Sequence, residues 1–533
     1  PPLTSARLTK RLLSLDLLVA VVIAVGIALS LLLRQGGNGT APTNAAAPVA
    51  AAAADKSIAV LPFANLSTDA DQDYFADGLA DELINKLSQV RDLQVTGRNS
   101  SFYFKGRTST LSEIGTMLGV GHVLQGSVRK SGTHLRINAQ LMNAKSGINE
   151  WSQNFDSELT DIFGVQDQIA KAVTVALSVT LGVGEFHRNG MTRNADAYDE
   201  YLKGIAATAV NGIPGATAAV EHLQRAVAID PLFSLGWLKL RDAYFFSITN
   251  LPPEQTRDFR DLMVKALQQA RMVTPDLPEL LLADADEDIR LGNWLAAEKL
   301  FRQVMDGNET VSAVANAKYG EMLSEVGRSK DALPYLQRAV RLDPLSADLA
   351  ANLTKNLLQL GRIDEAVAEA DRGIALGDAG RSVFLRALKM LAAYSVDDRV
   401  KAAAEVRAGG APPGPVFAEV ADLLVAHKNA EVLSLIKRTI EGDVPPVALA
   451  ALSLPAQLAG DPALAADLAL KRVGTKVLTN PLLHIWLDIT APVRQSPQFK
   501  HAVIDSGLLD YWRTTSHWAD KCNPVGENDF ECH

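Results

Sequence analysis

Two stretches of this chain are copies of one another. "LSEVGRSKDALPYLQRAVRLDP" (323–344) and "LLQLGRIDEAVAEADRGIALGD" (357–378) align without a gap at an offset of 34 residues. Gly327 falls on Gly361, Ala332 on Ala366, and Ala339 on Gly373. Upstream, "IRLGNWLAAEKLFRQVM" places Gly292 and Ala297 one residue off the same period. Further upstream, "AVEHLQRAVAIDPLFSLGWLKLRDAYF" carries the ending Ile229-Asp230-Pro231, then Trp237, Leu240 and Tyr244; Pro344 closes a later copy in the same way. A repeat of this length holds two antiparallel helices, which cannot bury both apolar faces alone and therefore stack on the next pair. The small residues let helix backbones approach, and the prolines mark turns because proline cannot continue a helix interior.

The W-x2-L-x3-Y spacing together with the period resembles the tetratricopeptide signature. The array is expected to cover 195–480. Beyond Gly380 the period degrades: "GGAPPGPV" (409–416) and "GDVPPVA" break helices, while Gly460 and Ala465 keep the five-residue offset of the earlier copies. The resemblance implies a groove that takes a peptide or helix of a partner protein.

Ahead of the array the periodicity changes. "SIAVLPF" reads as a buried strand, "LQVTG" as another, and "TLSEIGTMLGV" as a helix. In "THLRINAQLMNAKSG" Leu135, Ile137, Ala139 and Leu141 alternate with polar residues, the period of a strand with one buried face. Gly132 in "KSGTH" predicts a hairpin turn to "GHVLQGSVRKSG". "INEWSQNFD" adds a strand and "DIFGVQDQIAKAVTVALSVTLG" a closing helix, giving a small α/β domain over 57–183. These segments, with "IAVLPFANLSTDADQDYFADGLADELINKLSQV", resemble the TolB N-terminal-like domain of bacterial signalling proteins, which precedes tetratricopeptide repeats. The resemblance implies a periplasmic or membrane-linked interaction module and carries over no catalytic residue.

Near the start, Leu12 to Leu33 is apolar apart from Asp16. A helix of this length reaches about 33 Å, enough for a hydrocarbon core of about 30 Å. Arg7, Lys10 and Arg11 precede it, and Arg34 alone follows, which places the N-terminus in the cytoplasm. A cleaved signal peptide fits less well, because the run exceeds the usual apolar core and "GNG" is a poor cleavage triplet. The expectation is a cytoplasmic stub (1–11), a transmembrane helix (12–34) in a bacterial inner membrane, and a flexible Ala/Pro/Gly linker (35–56). The bulk would then lie in the periplasm. Fold class is thus multidomain: a single transmembrane helix, a small α/β domain and an all-α tetratricopeptide-repeat solenoid.

Candidate chemistry is sparse. "STDADQDYFADGLADELINKL" (67–87) is dense in acids, yet as a calcium loop starting at Asp69 it would put Tyr74 where a glycine is needed and Ala80 where a bidentate Glu is needed. As a helix, Phe75, Leu79, Leu83 and Leu87 form one apolar stripe, with Asp73, Asp77 and Asp81 on the opposite, wet side and Glu82 poised to pair with Lys86. "RNSSFYFKG" (98–106) mixes cations, hydroxyls and aromatics as an anion-binding loop would, or is a loop whose Phe102 and Phe104 pack inward. His122 and His134 lie on different strands with no carboxylate at fixed spacing and read as structural or exposed rather than as ligands. No nucleophile–base set, phosphate loop or metal motif appears, so neither enzyme activity nor a cofactor is expected. The net charge of −9 argues against a nucleic-acid surface.

The tail 481–533 is aromatic, with Tyr511, Trp512, Trp518 and Phe530, and is expected to cap the last helices. Cys522 and Cys532 suit a disulfide in an oxidising compartment; with His517 and His533 they match no common zinc spacing. The reading that follows is a membrane-anchored periplasmic scaffold or sensor with a protein partner in the repeat groove. Its rival is the extracytoplasmic sensory half of a one-component transcription regulator with a winged-helix output domain, or of a membrane nucleotide cyclase. An unrecognised hydrolase in 57–183 is the least favoured reading.

Overall fold

The structure is a computed structural model that describes residues 54–67, 72–90, 93–177, 190–208, 213–250, 256–306, 312–410, 415–442, 446–470, 485–526 and 529–533. The expected stub, membrane helix and most of the linker lie outside the described residues. Among those described, no helix is long and apolar enough to cross a membrane.

A small sheet opens the described chain, with β1 (Ala54–Val60), β2 (Ala64–Asn65), β3 (Gln94–Val95), β4 (Val120–Ser131), β5 (His134–Asn143) and β6 (Asn149–Glu158). β1 begins inside the stretch read as linker. The order is β3-β1-β4-β5-β6, with β2 also on β4; β1 runs parallel to β3 and β4, and β4, β5 and β6 are antiparallel. Gly132 turns the β4–β5 hairpin with φ 61°, a conformation glycine adopts without a Cβ penalty. Strand alternation divides the apolar side chains between two faces. Ile58, Val60, Leu124 and Ile137 meet α1 (Asp73–Leu87) and α4 (Ile162–Ala176). Ala59 and Val123 meet Phe104, which follows α2 (Arg98–Phe102), and Ile114 of α3 (Leu111–Leu118).

Eight antiparallel helix pairs follow among the described residues. They are α5 (Ala195–Thr208) with α6 (Ile213–Ile229), α7 (Ser234–Asn250) with α8 (Phe259–Val273), α9 (Pro278–Leu291) with α10 (Trp294–Asp306), and α11 (Ala313–Glu325) with α12 (Ser329–Leu342). Then come α13 (Ala347–Gln359) with α14 (Ile363–Ala375), α15 (Ala379–Ser395) with α16 (Arg399–Glu405), α17 (Pro415–Val425) with α18 (Asn429–Thr439), and α19 (Pro446–Leu458) with α20 (Pro462–Leu470).

The last six pairs reverse direction in one way. A left-handed residue stands after the first helix at Gly292, Gly327, Gly361, Asp397, His427 and Gly460, with φ between 53° and 94°. At each, its N–H and the next reach back three and five residues to helix carbonyls, as at Gly327 to Ser324 (3.2 Å) and Arg328 to Leu323 (2.8 Å). This is the Schellman arrangement, which satisfies carbonyls the helix leaves orphaned. Five residues further on, Ala297, Ala332, Ala366, Ala402, Val432 and Ala465 are all fully buried. The repeat therefore persists where its sequence fades, because Asp397 and His427 occupy a conformation open to Asp and His at modest cost.

The C-terminal segment comprises α21 (Ala491–Arg494), α22 (Pro497–Asp505), α23 (Leu508–Thr515) and the hairpin β7 (Cys522–Val525) and β8 (Asp529–Cys532), whose cysteines are disulfide-bonded. It touches α20, but it also folds back along the turns of the third to fifth pairs, so it is more than a cap on the final helices. Gly507 lies against the Gly292 carbonyl; Ala519 and Trp486 leave no room for a Cβ on Gly327; Asp488 faces Gly361. Three donors close the end of α11: Trp486 Nε1 on the Glu325 carbonyl (3.1 Å), Trp512 Nε1 on Val326 (2.9 Å) and the Asp520 N–H on Gly327 (2.8 Å).

Beside this seam, Glu298 and Arg328 are buried together. Arg328 Nη1 donates to Glu298 Oε1 (3.2 Å) and to the Tyr511 hydroxyl (2.8 Å), and Tyr511 donates to Glu298 Oε2 (2.9 Å). Burial works to raise the Glu298 carboxyl, but hydrogen bonds from Arg302 and Tyr511 outweigh it and hold it below the usual range. Arg328→Ala removes one of the two cations on that buried carboxylate and leaves Arg302 and Tyr511 in place. The expected loss in chemical denaturation is roughly 1–3 kcal/mol, against under about 1 kcal/mol for the part-exposed Arg362→Ala.

Candidate functional site

The first helices of successive pairs lie against each other along the array, so side chains at equivalent positions form a row across repeats. Six residues before the left-handed turn stand Asp286, Glu321 and Lys355, on α9, α11 and α13. Lys318 Nζ reaches Asp286 at 2.6 Å, and Arg241 of α7 approaches the same carboxylate at 3.8 Å. Lys355 Nζ reaches Glu321 at 3.3 Å. Sequence separations of 32 and 34 in these bonds are the repeat period expressed as contacts. All five side chains are part-exposed, so the row is paired yet open to water. At the position equivalent to Lys355, the next repeat has Leu391, and the charge ends.

Glu325, one turn beyond Glu321 on α11, is the perturbed group of this row. Burial, reinforced by the charge of Glu321 and opposed by Lys355, pushes its carboxyl up to about 8. Half-buried acids displaced this far mark candidate functional sites. The arrangement suits docking of a polar segment: both charge signs are on offer, each held in place by its neighbour.

A cavity of about 250 Å³ lies where the C-terminal segment crosses the repeat turns, lined in part by Ser329, Lys330, Gln359, Asp488, Arg494 and Lys521. Its charges are already engaged. Arg494 donates to the carbonyls of Leu487 (2.6 Å) and His533 (2.7 Å), Lys521 pairs with Asp488, and Ser329 donates to Gln359 (2.8 Å). Burial lowers the Arg494 guanidinium to about 10. The cavity is a polar joint.

The residues singled out in the sequence fall as follows. The stripe Phe75, Leu79, Leu83 and Leu87 is buried. Its acidic opposite side is not simply wet: Asp77 pairs with Lys105 (2.6 Å) and Asp81 with Arg98 (3.3 Å), because the 98–106 segment lies over it. Glu82 is buried, and Lys86 pairs with Asp167 of α4 (2.5 Å). Segment 98–106 packs Phe104 inward and presents α2 to the repeats, where Asp343 accepts from the Ser100 N–H at 2.7 Å. His122 and His134 each gain a carboxylate from β6 through the sheet: His134 lies directly opposite Glu158 (2.6 Å), and Glu150 reaches His122 on β4 (3.2 Å) across the intervening β5.

Among the repeat residues, Leu240 and Tyr244 are buried in the apolar cluster that also holds Ile58 and Leu83, and Trp237 donates to the Pro231 carbonyl (3.0 Å). Gly292, Gly327 and Gly361 are the left-handed turns, and Ala297, Ala332, Ala339 and Ala366 lie at helix contacts. Pro344 closes the turn after α12, and its carbonyl accepts from Arg372. Among the described residues, no group of three or more His, Cys, Asp or Glu side chains could hold a metal ion. Glu325, Lys318, Lys355 and Asp343 were not foreseen; the first three sit at repeat-equivalent or adjacent positions, a signal present in the 34-residue alignment.

This geometry defines a tetratricopeptide-type array, and residues 323–379 match the family model described as "Tetratricopeptide repeat". The chain is 40% identical over 192 residues to "Putative adenylate cyclase 3" of Rhizobium meliloti (strain 1021), a match covering 36% of this chain and 33% of that protein. The chain thus spans about a third of that relative's length. Among solved structures, it is similar to YrrB, described as a TPR protein with an unusual peptide-binding site (16% identity, 36% of this chain and 91% of that one, TM-score 0.25). It is also similar to lipoprotein GNA1162 from Neisseria meningitidis (20% identity, 23% and 97%, TM-score 0.18).

The pH response of Glu325 has a fixed sign. Its carboxyl stays protonated in the fold up to about 8 but ionises near 4.5 when unfolded, so its contribution to stability falls as pH rises between those values. Glu325→Gln should flatten that slope and be more stable than the parent at pH 8.5, by roughly 1–3 kcal/mol after allowance for solvent screening. Denaturant titrations at pH 4.5 and 8.5 measure it.

Proposed function

We propose that this chain is the interaction part of a membrane-anchored bacterial signalling protein, docking a protein or peptide partner on the charged row of its repeats. The observation that carries the reading is the half-exposed line from Arg241 through Asp286 and Lys318 to Glu321 and Lys355, set on equivalent faces of neighbouring repeats. A tetratricopeptide array is suited to protein–protein contact, and a row of fixed, alternating charges selects register and partner more than it adds affinity. Action by binding rather than turnover is part of the proposal. So are the TolB-like nature of the α/β domain, the membrane helix at 12–34 and a periplasmic location, which rest on sequence resemblance and hydropathy.

A second reading has its own support. The 40% identity to a protein named as an adenylate cyclase favours this chain being the signal-receiving region of a nucleotide cyclase, with the cyclase activity residing in the rest of such a protein.

Alanine at both Lys318 and Lys355 tests the first reading. In crosslinked membranes carrying the full chain, capture of its specific partner should fall at least about tenfold, the equivalent of 1.4 kcal/mol, while the melting profile stays near that of the parent. Unchanged capture by the double variant refutes the charged row as the docking face.

A further inference from the structure

The buried apolar side chains divide into two main clusters. One joins the sheet, α1 and α4 to the first helix pairs and ends at Leu280 and Ala283 of α9. The other begins at Leu282 and Ala285 of that same helix and continues to Cys532. α9 is the element that both cores share. Within the first body, the α/β domain is bonded to α5 by apolar packing: Gly78 has no room for a Cβ against Leu202, and Tyr198 stacks edge-on to Phe163.

The two bodies meet again where α2 lies on the turn between α12 and α13, and this contact is small and polar. The Gly97 N–H donates to the Leu342 carbonyl (2.8 Å), and the Ser100 N–H to Asp343 Oδ1 (2.7 Å). The Leu345 N–H donates to Ser100 Oγ (2.8 Å), and Asn99 Nδ2 to Ser346 Oγ (3.3 Å). Asp343 thus caps the first turn of α2 from more than two hundred residues away. Leu345 rests on the sheet face around Phe104 and Ile114. A Cβ on Gly97 would fall 2.5 Å from the Asp343 carboxyl carbon.

We infer that this contact is a latch across a hinge at α9: Asp343 holds the α/β domain over the turn after α12, and its release lets the two bodies part with both cores intact. The inference comes from the asymmetry of the joints. Opening at α5 would expose the larger apolar surface, whereas opening at α2 chiefly exchanges hydrogen bonds for water and parts Leu345 from the face around Phe104 and Ile114. The charged row straddles the hinge, with Arg241 in the first body, Asp286 on α9 and Lys318 in the second. Opening therefore changes the spacing of that row, which makes the latch a means of coupling the α/β domain to the docking face. The latch does not depend on which partner docks there.

Both native cysteines are consumed by the disulfide, so spin labels attach only to introduced ones. Labels at Lys145→Cys and Asp364→Cys, exposed on opposite bodies, report the separation in the full chain by pulsed electron resonance. The parent should give one distance, with any open form below about 1% of molecules. Asp343→Ala and Gly97→Leu should each add a longer distance in more than about 10%, within the range of such two-state shifts. Asp343→Asn keeps an oxygen acceptor and should stay closed. Hydrogen exchange should quicken at 98–104 and 343–346 while 197–202 and 323–326 keep their protection. An unchanged distance in both opening variants overturns the latch. So does a longer distance accompanied by lost protection at 197–202 or 323–326, which would make the contact a strut that the cores require.

Discussion

In each of the last six helix pairs the chain reverses within two or three residues, and one residue with positive φ makes that reversal. The six left-handed turns from Gly292 to Gly460 also place a fully buried small or β-branched side chain five residues later. The interval couples two demands. The turn sets where the second helix begins, and the buried residue sets how near it lies to the first. Where the turn residue is glycine, the backbone is at ease; at Asp397 and His427 the fold tolerates a less favourable one because packing on both sides fixes the reversal.

That difference explains what could be read in the sequence and what could not. Gly292, Gly327 and Gly361 announce themselves because glycine is the default for such a turn, and the array from 313 to 375 was legible from them. Asp397 and His427 carry no comparable mark, so pairs formed around them read as decay of the period. The sheet was legible through strict alternation at Leu135, Ile137, Ala139 and Leu141. The acidic side of α1 was not, since its neutralising partners Arg98 and Lys105 belong to a segment whose approach depends on tertiary folding.

The charged row shows the same limit in another form. Lys318 and Lys355 look like ordinary surface lysines in one dimension. Stacking brings each against an acid of the preceding repeat, and the crowd around Glu325 then shifts its proton equilibrium. Site chemistry here is a product of repetition: residues roughly 34 apart in the chain become neighbours, so a pattern too sparse to notice along the sequence becomes a continuous strip in space. The Glu298–Arg328–Tyr511 cluster was hidden for a related reason, because Tyr511 comes from a segment with no period to announce its destination.

The seam between the C-terminal segment and the turns of the third to fifth pairs has a consequence for how the protein is made. Helix α11 leaves the ribosome long before the indoles of Trp486 and Trp512 that close its end. During synthesis those carbonyls, together with the surfaces that Trp486, Trp512 and Phe530 later cover, must wait uncovered for well over a hundred residues. Nascent chains in that interval present sticky, half-finished repeats to one another. Slow decoding of residues 485–533, or termination ahead of them, would leave the middle of the array, rather than its end, as the place where misassembly starts.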